Sequence, residues 1–342
     1  QICTAIIKKS MENNKTFIIA EISANHNHDF DLTVKTIKAI AETGADAVKV
    51  QTYKADSLAL DVDNEYFGPK KEGLWKGIKP YDLYKAGMMP YEWQPKLKQI
   101  AEELGLVFFS TPFDFEGVDF LEKMGVPMYK IASFEINDIP LIRYVAQKRK
   151  PMIISTGLGD IQDIESAIDA CKAAGNDDIT LLKCTSQYPA TLEQANLITI
   201  PDMAARFKVK VGVSDHTMGD MVPVVAVSLG ARVVEKHFIL DRALGGPDAA
   251  FSVEPQEFER MIKAIRDVEL ALGTVKYEVT DKDKMKRRSL FVTQDISKGD
   301  ILGADNIRSL RPGYGLAPVY LSSVYGKNVN RDLKKGDALF CQ

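Results

Sequence analysis

From Phe17 onward, short apolar runs alternate with longer stretches in which apolar residues recur every three or four positions. The runs FIIAEIS, DAVKVQTY, LVFFSTPF, PMYKIAS, PMIISTG, ITLLKCTS, VKVGVSD and RVVEKHF are rich in β-branched and aromatic residues and too short for helices, so they predict eight strands. Between them the spacing predicts helices. In LTVKTIKAIAETG, residues Leu32, Ile37, Ile40 and Ala41 share one face and Gly44 can end the helix. YEWQPKLKQIAEELG, EGVDFLEKMG and IESAIDACKAAG repeat the plan. VKVGVSDHT, MVPVVAVSLGA and RVVEKHF read as strand, helix, strand, which makes the two strands parallel and brings His216 and His237 out at the same sheet edge.

Eight such repeats over roughly 250 residues predict a closed (β/α)8 TIM barrel, with an open doubly wound sheet as the alternative. Near-continuous apolar strands with helices in the gaps favour closure. The interval 58–93 is too long for a simple βα loop and predicts a substrate-covering insertion after the second strand. The helix MIKAIRDVELALG completes a barrel domain, residues 1–275. A charged stretch containing VTDKDKMKRRS predicts a linker, 276–288. Residues 289–342 are punctuated by Gly and Pro and predict a small β-rich domain in which SKGD and KKGD form related turns. A unit that small buries little apolar surface and is expected to dock on something.

Composition narrows the function. Hydrophobic residues are 45% and charged residues 27% of the chain, with a formal net charge of -3. That balance argues against nucleic acid or an anionic membrane as the main partner, while leaving room for a local basic pocket. Cys3, Cys171, Cys184 and Cys341 show no CxxC spacing, so neither a disulfide framework nor a zinc site is expected, and a reducing cytoplasm suits them. No apolar run reaches the roughly 18 to 20 residues of a membrane span, and the N-terminal residues lack the apolar core of a signal peptide.

In a closed barrel, polar residues at the C-terminal strand ends carry the chemistry. Those ends offer Glu21, Lys49, Thr111, Lys130, Ser133, Glu135, Ser155, Ser186, Tyr188, Ser214, His216, Glu235 and His237. A lysine inside an apolar strand needs an anion. Lys49 and Lys130 therefore either pair with barrel glutamates or, with the hydroxyls beside them, form a pocket for phosphate and carboxylate. A Schiff-base lysine is a sharper rival reading. Closure sets the eighth strand beside the first, so Glu21, His216 and His237 are expected to meet and to suit a divalent metal with open positions.

The stretches FIIAEISANH, VKVQTY, FFSTPFD, YKIASFE, ISTGL, LKCTSQYP, GVSDHT, EKHF, GGPDAAFS and LRPGYG stand in the order seen in the N-acetylneuraminate (sialic acid) synthase family, which the chain resembles over nearly its whole length. EISANH, PYEW and LKCTSQYP are most similar to the members that make pseudaminic acid. His28-Asp29 departs from the small Gly-containing turn often found there. The resemblance implies a barrel followed by an antifreeze-like (SAF) domain. The implied reaction condenses phosphoenolpyruvate with an open-chain acetamido hexose, 2,4-diacetamido-2,4,6-trideoxy-altrose in that branch, to give a nine-carbon 2-keto acid and phosphate. It implies that His216 and His237 bind a divalent metal, Mn²⁺ or else Mg²⁺ or Co²⁺. Lys49, Thr111, Lys130, Ser133, Ser155, Ser186 and Ser214 would surround phosphoenolpyruvate. Glu21, Tyr188 and Asp248 would face the sugar or a metal-bound water. Arg311 would reach the partner's barrel in a homodimer capped by the SAF domain. N-acetylneuraminate or legionaminate synthesis, a Schiff-base aldolase and a non-catalytic sugar-binding protein are the competing functions.

Overall fold

The computed structural model describes residues 15–340, so Cys3 and Cys341 lie outside the described residues. The chain divides into two compact units between Gly273 and Thr274. In the first, β1 (Phe17–Glu21), β2 (Ala47–Thr52), β3 (Val107–Pro112), β4 (Tyr129–Ile131), β5 (Met152–Ser155), β6 (Ile179–Cys184), β7 (Lys210–Asp215) and β8 (Val233–His237) follow the predicted runs. They close in sequence order into a parallel barrel, and β8 returns to β1 with His237 opposite Glu21.

Alternation along the strands separates two cores. Outward residues such as Ile18, Val48, Phe108, Ile154 and Val234 pack with the surrounding helices. Inward residues Ile19, Ala47, Val107, Phe109, Ile153, Leu182 and Val233 form a buried plug inside the barrel. Two residues further along each strand, the same inward face carries Glu21, Lys49, Thr111, Ser155, Cys184, Glu235 and other polar groups. The plug thus closes the polar layer from below. Gly212 belongs to this packing: a Cβ there would lie 2.3 Å from the Val233 carbonyl oxygen.

Helix α1 (Phe30–Glu42) starts where Asp29 accepts a hydrogen bond from the Leu32 N–H, and it buries Ile37 and Ile40 as the spacing requires. The turn before it places Asn27 and His28 at φ of 47° and 54°, backbone that glycine adopts more easily. The insertion is not an open loop. It is entered from a short helix, α2 (Ala55–Leu58), and holds α3 (Pro80–Gly87), with Pro80 at the first turn of α3. Helix α4 (Gln94–Glu103) then leads into β3.

In the second unit β9 (Ser289–Val292) pairs antiparallel with β10 (Ile307–Leu310) over a core containing Leu290, Val292, Ile296, Ile307 and Leu333. SKGD and KKGD are matching turns: Gly299 and Gly336 take φ of 94° and 98°. The residues that precede the turns, Ile296 and Leu333, exchange two backbone hydrogen bonds of 3.0 Å. The charged stretch expected to be a linker includes a short helix, Asp281–Lys284, capped by Thr280.

Candidate active site

The floor of the site is a buried cluster of charges. Lys49 Nζ lies 2.5 Å from Glu21 Oε2 and 3.7 Å from Glu235 Oε2, and it donates to Thr111 Oγ1 at 3.1 Å. Lys130 Nζ is 3.9 Å from the other oxygen of Glu235 and donates to Ser155 Oγ at 2.6 Å. Ser214 Oγ donates to Glu235 at 2.9 Å. One carboxylate therefore faces both lysines. Burial lifts Glu21 to about 7 against the pull of Lys49. Burial opposes charge on Lys49, but Glu21 and Glu235 outweigh it and raise its pKa; burial prevails at Lys130 and lowers it. The lysines thus do pair with barrel glutamates, and the hydroxyls expected beside them are there.

Above Lys130, Ser133 and Ser186 converge over Gly157. The Gly157 N–H donates to Ser133 Oγ at 3.1 Å, and a Cβ on Gly157 would meet Ser186 Oγ at 2.3 Å and Ser133 Oγ at 2.9 Å. Only a bare backbone fits between these hydroxyls. With Lys130 and Ser155 they make a cradle of donors suited to a phosphate or carboxylate.

His216 and His237 face each other, ring centres 5.2 Å apart. Nδ1–H of His216 donates to the Thr185 carbonyl at 2.9 Å, which leaves Nε2 free. Burial opposes charge on His216, but the Cys184 thiol and the Thr185 carbonyl outweigh it and raise its pKa. Burial, followed by the charge of His216, holds His237 well below the usual imidazole range. His237 Nδ1 is buried without a hydrogen-bond partner and lies 4.0 Å from Asp248 Oδ2. A neutral imidazole with an orphaned nitrogen, beside one fixed by its carbonyl, fits a pair of metal ligands. The expected third member does not join them. Glu21 is drawn to Lys49, and no three His, Cys, Asp or Glu among the described residues are grouped for one ion. Its place on β1 beside β8 was predicted correctly, but the lysine on β2 claims its carboxylate.

A cavity of about 390 Å³ opens beside His237 and Asp248, lined also by Ser23, Gln51, Glu135 and Tyr188 among others. Tyr188 stacks at 4.5 Å on His216 and at 5.0 Å on Phe251. Burial raises Asp248, whose Oδ2 accepts from the Ala24 N–H at 3.2 Å. Glu135 is the residue that strand-end reasoning found without a role. It lies in a short 3-10 turn after β4, its Oε2 is buried without a hydrogen-bond partner, and burial lifts it to about 7. Its signal in the sequence was a carboxylate two residues beyond Ser133 at the same rim. Arg311 belongs to the second unit, where it is exposed. That unit also holds a larger cavity, about 560 Å³, lined by residues such as Leu302, Tyr320, Val324 and Phe340 and by none of the groups above.

Comparison with known proteins matches the NeuB family model to residues 36–277 and the SAF domain model to residues 287–340. The chain is 43% identical to the pseudaminic acid synthase of Campylobacter jejuni, over 96% of both chains. It is 39% identical to the N,N'-diacetyllegionaminic acid synthase of Legionella pneumophila, over 97% of this chain and 96% of that one. The solved N-acetylneuraminic acid synthetase of Leptospira borgpetersenii superposes with a TM-score of 0.70 at 32% identity, covering 79% of this chain and 90% of that chain.

Proposed function

The chain belongs to the NeuB family, and from that premise we propose that it joins phosphoenolpyruvate to the open-chain aldehyde of 2,4-diacetamido-2,4,6-trideoxy-altrose, giving pseudaminic acid and phosphate. It is a phosphoenolpyruvate-dependent sugar acid synthase. The observation that carries the reading is the cluster in which Lys49 and Lys130 share Glu235 beneath the Ser133–Gly157–Ser186 cradle, at the same mouth as the facing imidazoles. An aldolase that forms a Schiff base needs a neutral amine; Glu21 and Glu235 hold Lys49 charged, so that rival reading falls to Lys130, whose pKa burial lowers and which the borohydride test below addresses.

His216 and His237 would hold a divalent metal, Mn²⁺ in our reading, which when bound supplies a Lewis acid for the aldehyde oxygen. The lysines and the cradle hydroxyls neutralise and orient phosphoenolpyruvate so that its C3 faces the aldehyde carbon. As the C3–aldehyde carbon bond forms, the aldehyde oxygen needs a proton and C2 becomes electron-poor. We assign that proton to Glu135, which lines the same cavity as His237 and whose carboxyl burial lifts to about 7. Glu21 beside Lys49 is suited to take a proton from the water that adds to C2. The resulting adduct expels phosphate with cleavage of the C2–O bond and leaves the 2-keto acid. Tyr188 and Asp248 line the sugar's side of the cavity. We place the protein in the cytoplasm, where phosphoenolpyruvate is made, as a homodimer in which Arg311 serves the partner's barrel.

The test is phosphate release from phosphoenolpyruvate with the altrose derivative, with the sugar that leads to legionaminic acid, and with N-acetylmannosamine, each with and without a chelator. Release with the altrose derivative alone, abolished by chelator and restored by Mn²⁺, is expected. Preference for another of the sugars would move the assignment within the family. A borohydride-trapped covalent adduct would replace it with the aldolase reading.

A further inference from the structure

Strand alternation turns Glu235 and His237 into the barrel and Lys236 outward, into the apolar layer that Val213 and Val234 share with the helices. Lys236 is nonetheless buried there, and so is its neighbour across the ladder, Asp215. Lys236 Nζ donates to Asp215 Oδ2 and, at 2.6 Å, to the Thr217 carbonyl. The second carboxylate oxygen, Oδ1, accepts from the Thr217 N–H at 2.9 Å and from its hydroxyl at 2.8 Å. Neither charged residue lines the cavity. Stability alone is a poor reason for such a pair, because desolvating two charges offsets much of their attraction.

Its place in the chain gives a better one. Asp215 and Thr217 flank His216, and Lys236 immediately precedes His237. One ammonium group therefore holds the residues on both sides of one imidazole while sitting next to the other. Thr217 is gripped through its N–H, its hydroxyl and its carbonyl alike. Resting on the metal reading above, we infer that Asp215 and Lys236 are positioning residues, whose clamp joins the end of β7 to β8 and keeps His216 and His237 face to face for a divalent cation. Metal affinity then depends on an ion pair on the far side of the strands, which the cation never touches. With the clamp removed, all three bonds to Thr217 are lost, and the chain around His216 keeps only the ring's bond to the Thr185 carbonyl and the bond from the Ala190 N–H to the His216 carbonyl.

The experiment titrates Mn²⁺ calorimetrically into the full chain without substrates, well below the melting temperature, in wild type, Lys236→Met, Asp215→Leu and the double variant Asp215→Leu/Lys236→Met. All three variants are expected to bind Mn²⁺ about 10- to 100-fold more weakly, the scale for groups that orient metal ligands. The sign separates this from a bare field effect, in which losing the Lys236 charge tightens cation binding, losing Asp215 weakens it and losing both changes little. The double variant leaves no charge unpaired and decides the matter if a single variant fails to fold. Should it fail as well, Thr217→Val, which removes one bond of the clamp and no charge, decides in the same way, with a loss of about 2- to 10-fold expected. Tighter binding by Lys236→Met, or wild-type affinity in the double variant, overturns the inference and leaves the metal reading standing, even where the melting temperature has moved. Wild type that binds no Mn²⁺ overturns the metal reading and this inference with it.

Discussion

Gly157→Ala tests the phosphate cradle with the smallest possible change. The added carbon would lie 2.3 Å from Ser186 Oγ, 2.9 Å from Ser133 Oγ and 3.2 Å from Cys184 Cβ. Ser186 must retreat by at least about 0.7 Å, from 2.3 Å to a bearable 3.0 Å, and Ser133 must rotate slightly as well. The closest obstacles are hydroxyl ends, so side chains move rather than backbone. The φ of Gly157 is not in the positive region, so alanine brings no backbone strain. What is lost is the alignment of one or two donors to an anion, each contributing about 1.5 to 3 kcal/mol. At about 1.4 kcal/mol per tenfold, one lost bond raises the KM for phosphoenolpyruvate about 10- to 150-fold. Initial rates of phosphate release at saturating sugar measure it, with a thermal melt as the control. An unchanged KM for phosphoenolpyruvate would refute the cradle.

Four further outcomes are expected. Glu235→Ala leaves two ammonium groups facing a hole and destabilises the barrel by about 3 to 5 kcal/mol in urea unfolding; a loss under 1 kcal/mol would show that the lysines lean on Glu21 alone. His216→Ala abolishes Mn²⁺ binding in calorimetric titration while the metal-free melting temperature stays near wild type. Glu135→Gln raises stability at pH 8: burial lifts the folded-state pKa from 4.5 to about 7, so ionising this carboxyl opposes folding as pH climbs through that window, by up to about 3 kcal/mol. Equal denaturation midpoints at pH 8 would count against that environment, and the same variant should lose most turnover. Arg311→Ala lowers kcat without lowering the melting temperature of the barrel; full activity would remove it from the site.

The barrel was legible because period-two alternation and helical spacing are local properties, and eight runs in register with seven helical gaps admit few topologies. The rim residues followed from strand direction alone. What did not follow was who pairs with whom across the barrel. Glu235 was visible at a strand end, but its position between Lys49 of β2 and Lys130 of β4 depends on the stagger and tilt of all eight strands. The same stagger decides that Glu21 turns to Lys49 rather than to the imidazoles. Glu135 and Trp75 were harder still, since each lies past the end of a regular element. Trp75 finds its partner 172 residues away, at Pro247. Loop side chains of that kind are placed by tertiary packing, which no periodic pattern encodes.

The shared carboxylate has one more consequence. Because Glu235 already neutralises part of both lysines beneath a dry apolar plug, the cationic groups are assembled and desolvated before any anion arrives. Their attraction acts at contact range, out of reach of mobile counterions, whose screening length is about 8 Å at physiological ionic strength. The grip on a trianionic metabolite is thereby insulated from the salt of its surroundings, and a chain of net negative charge can hold phosphoenolpyruvate without a basic exterior.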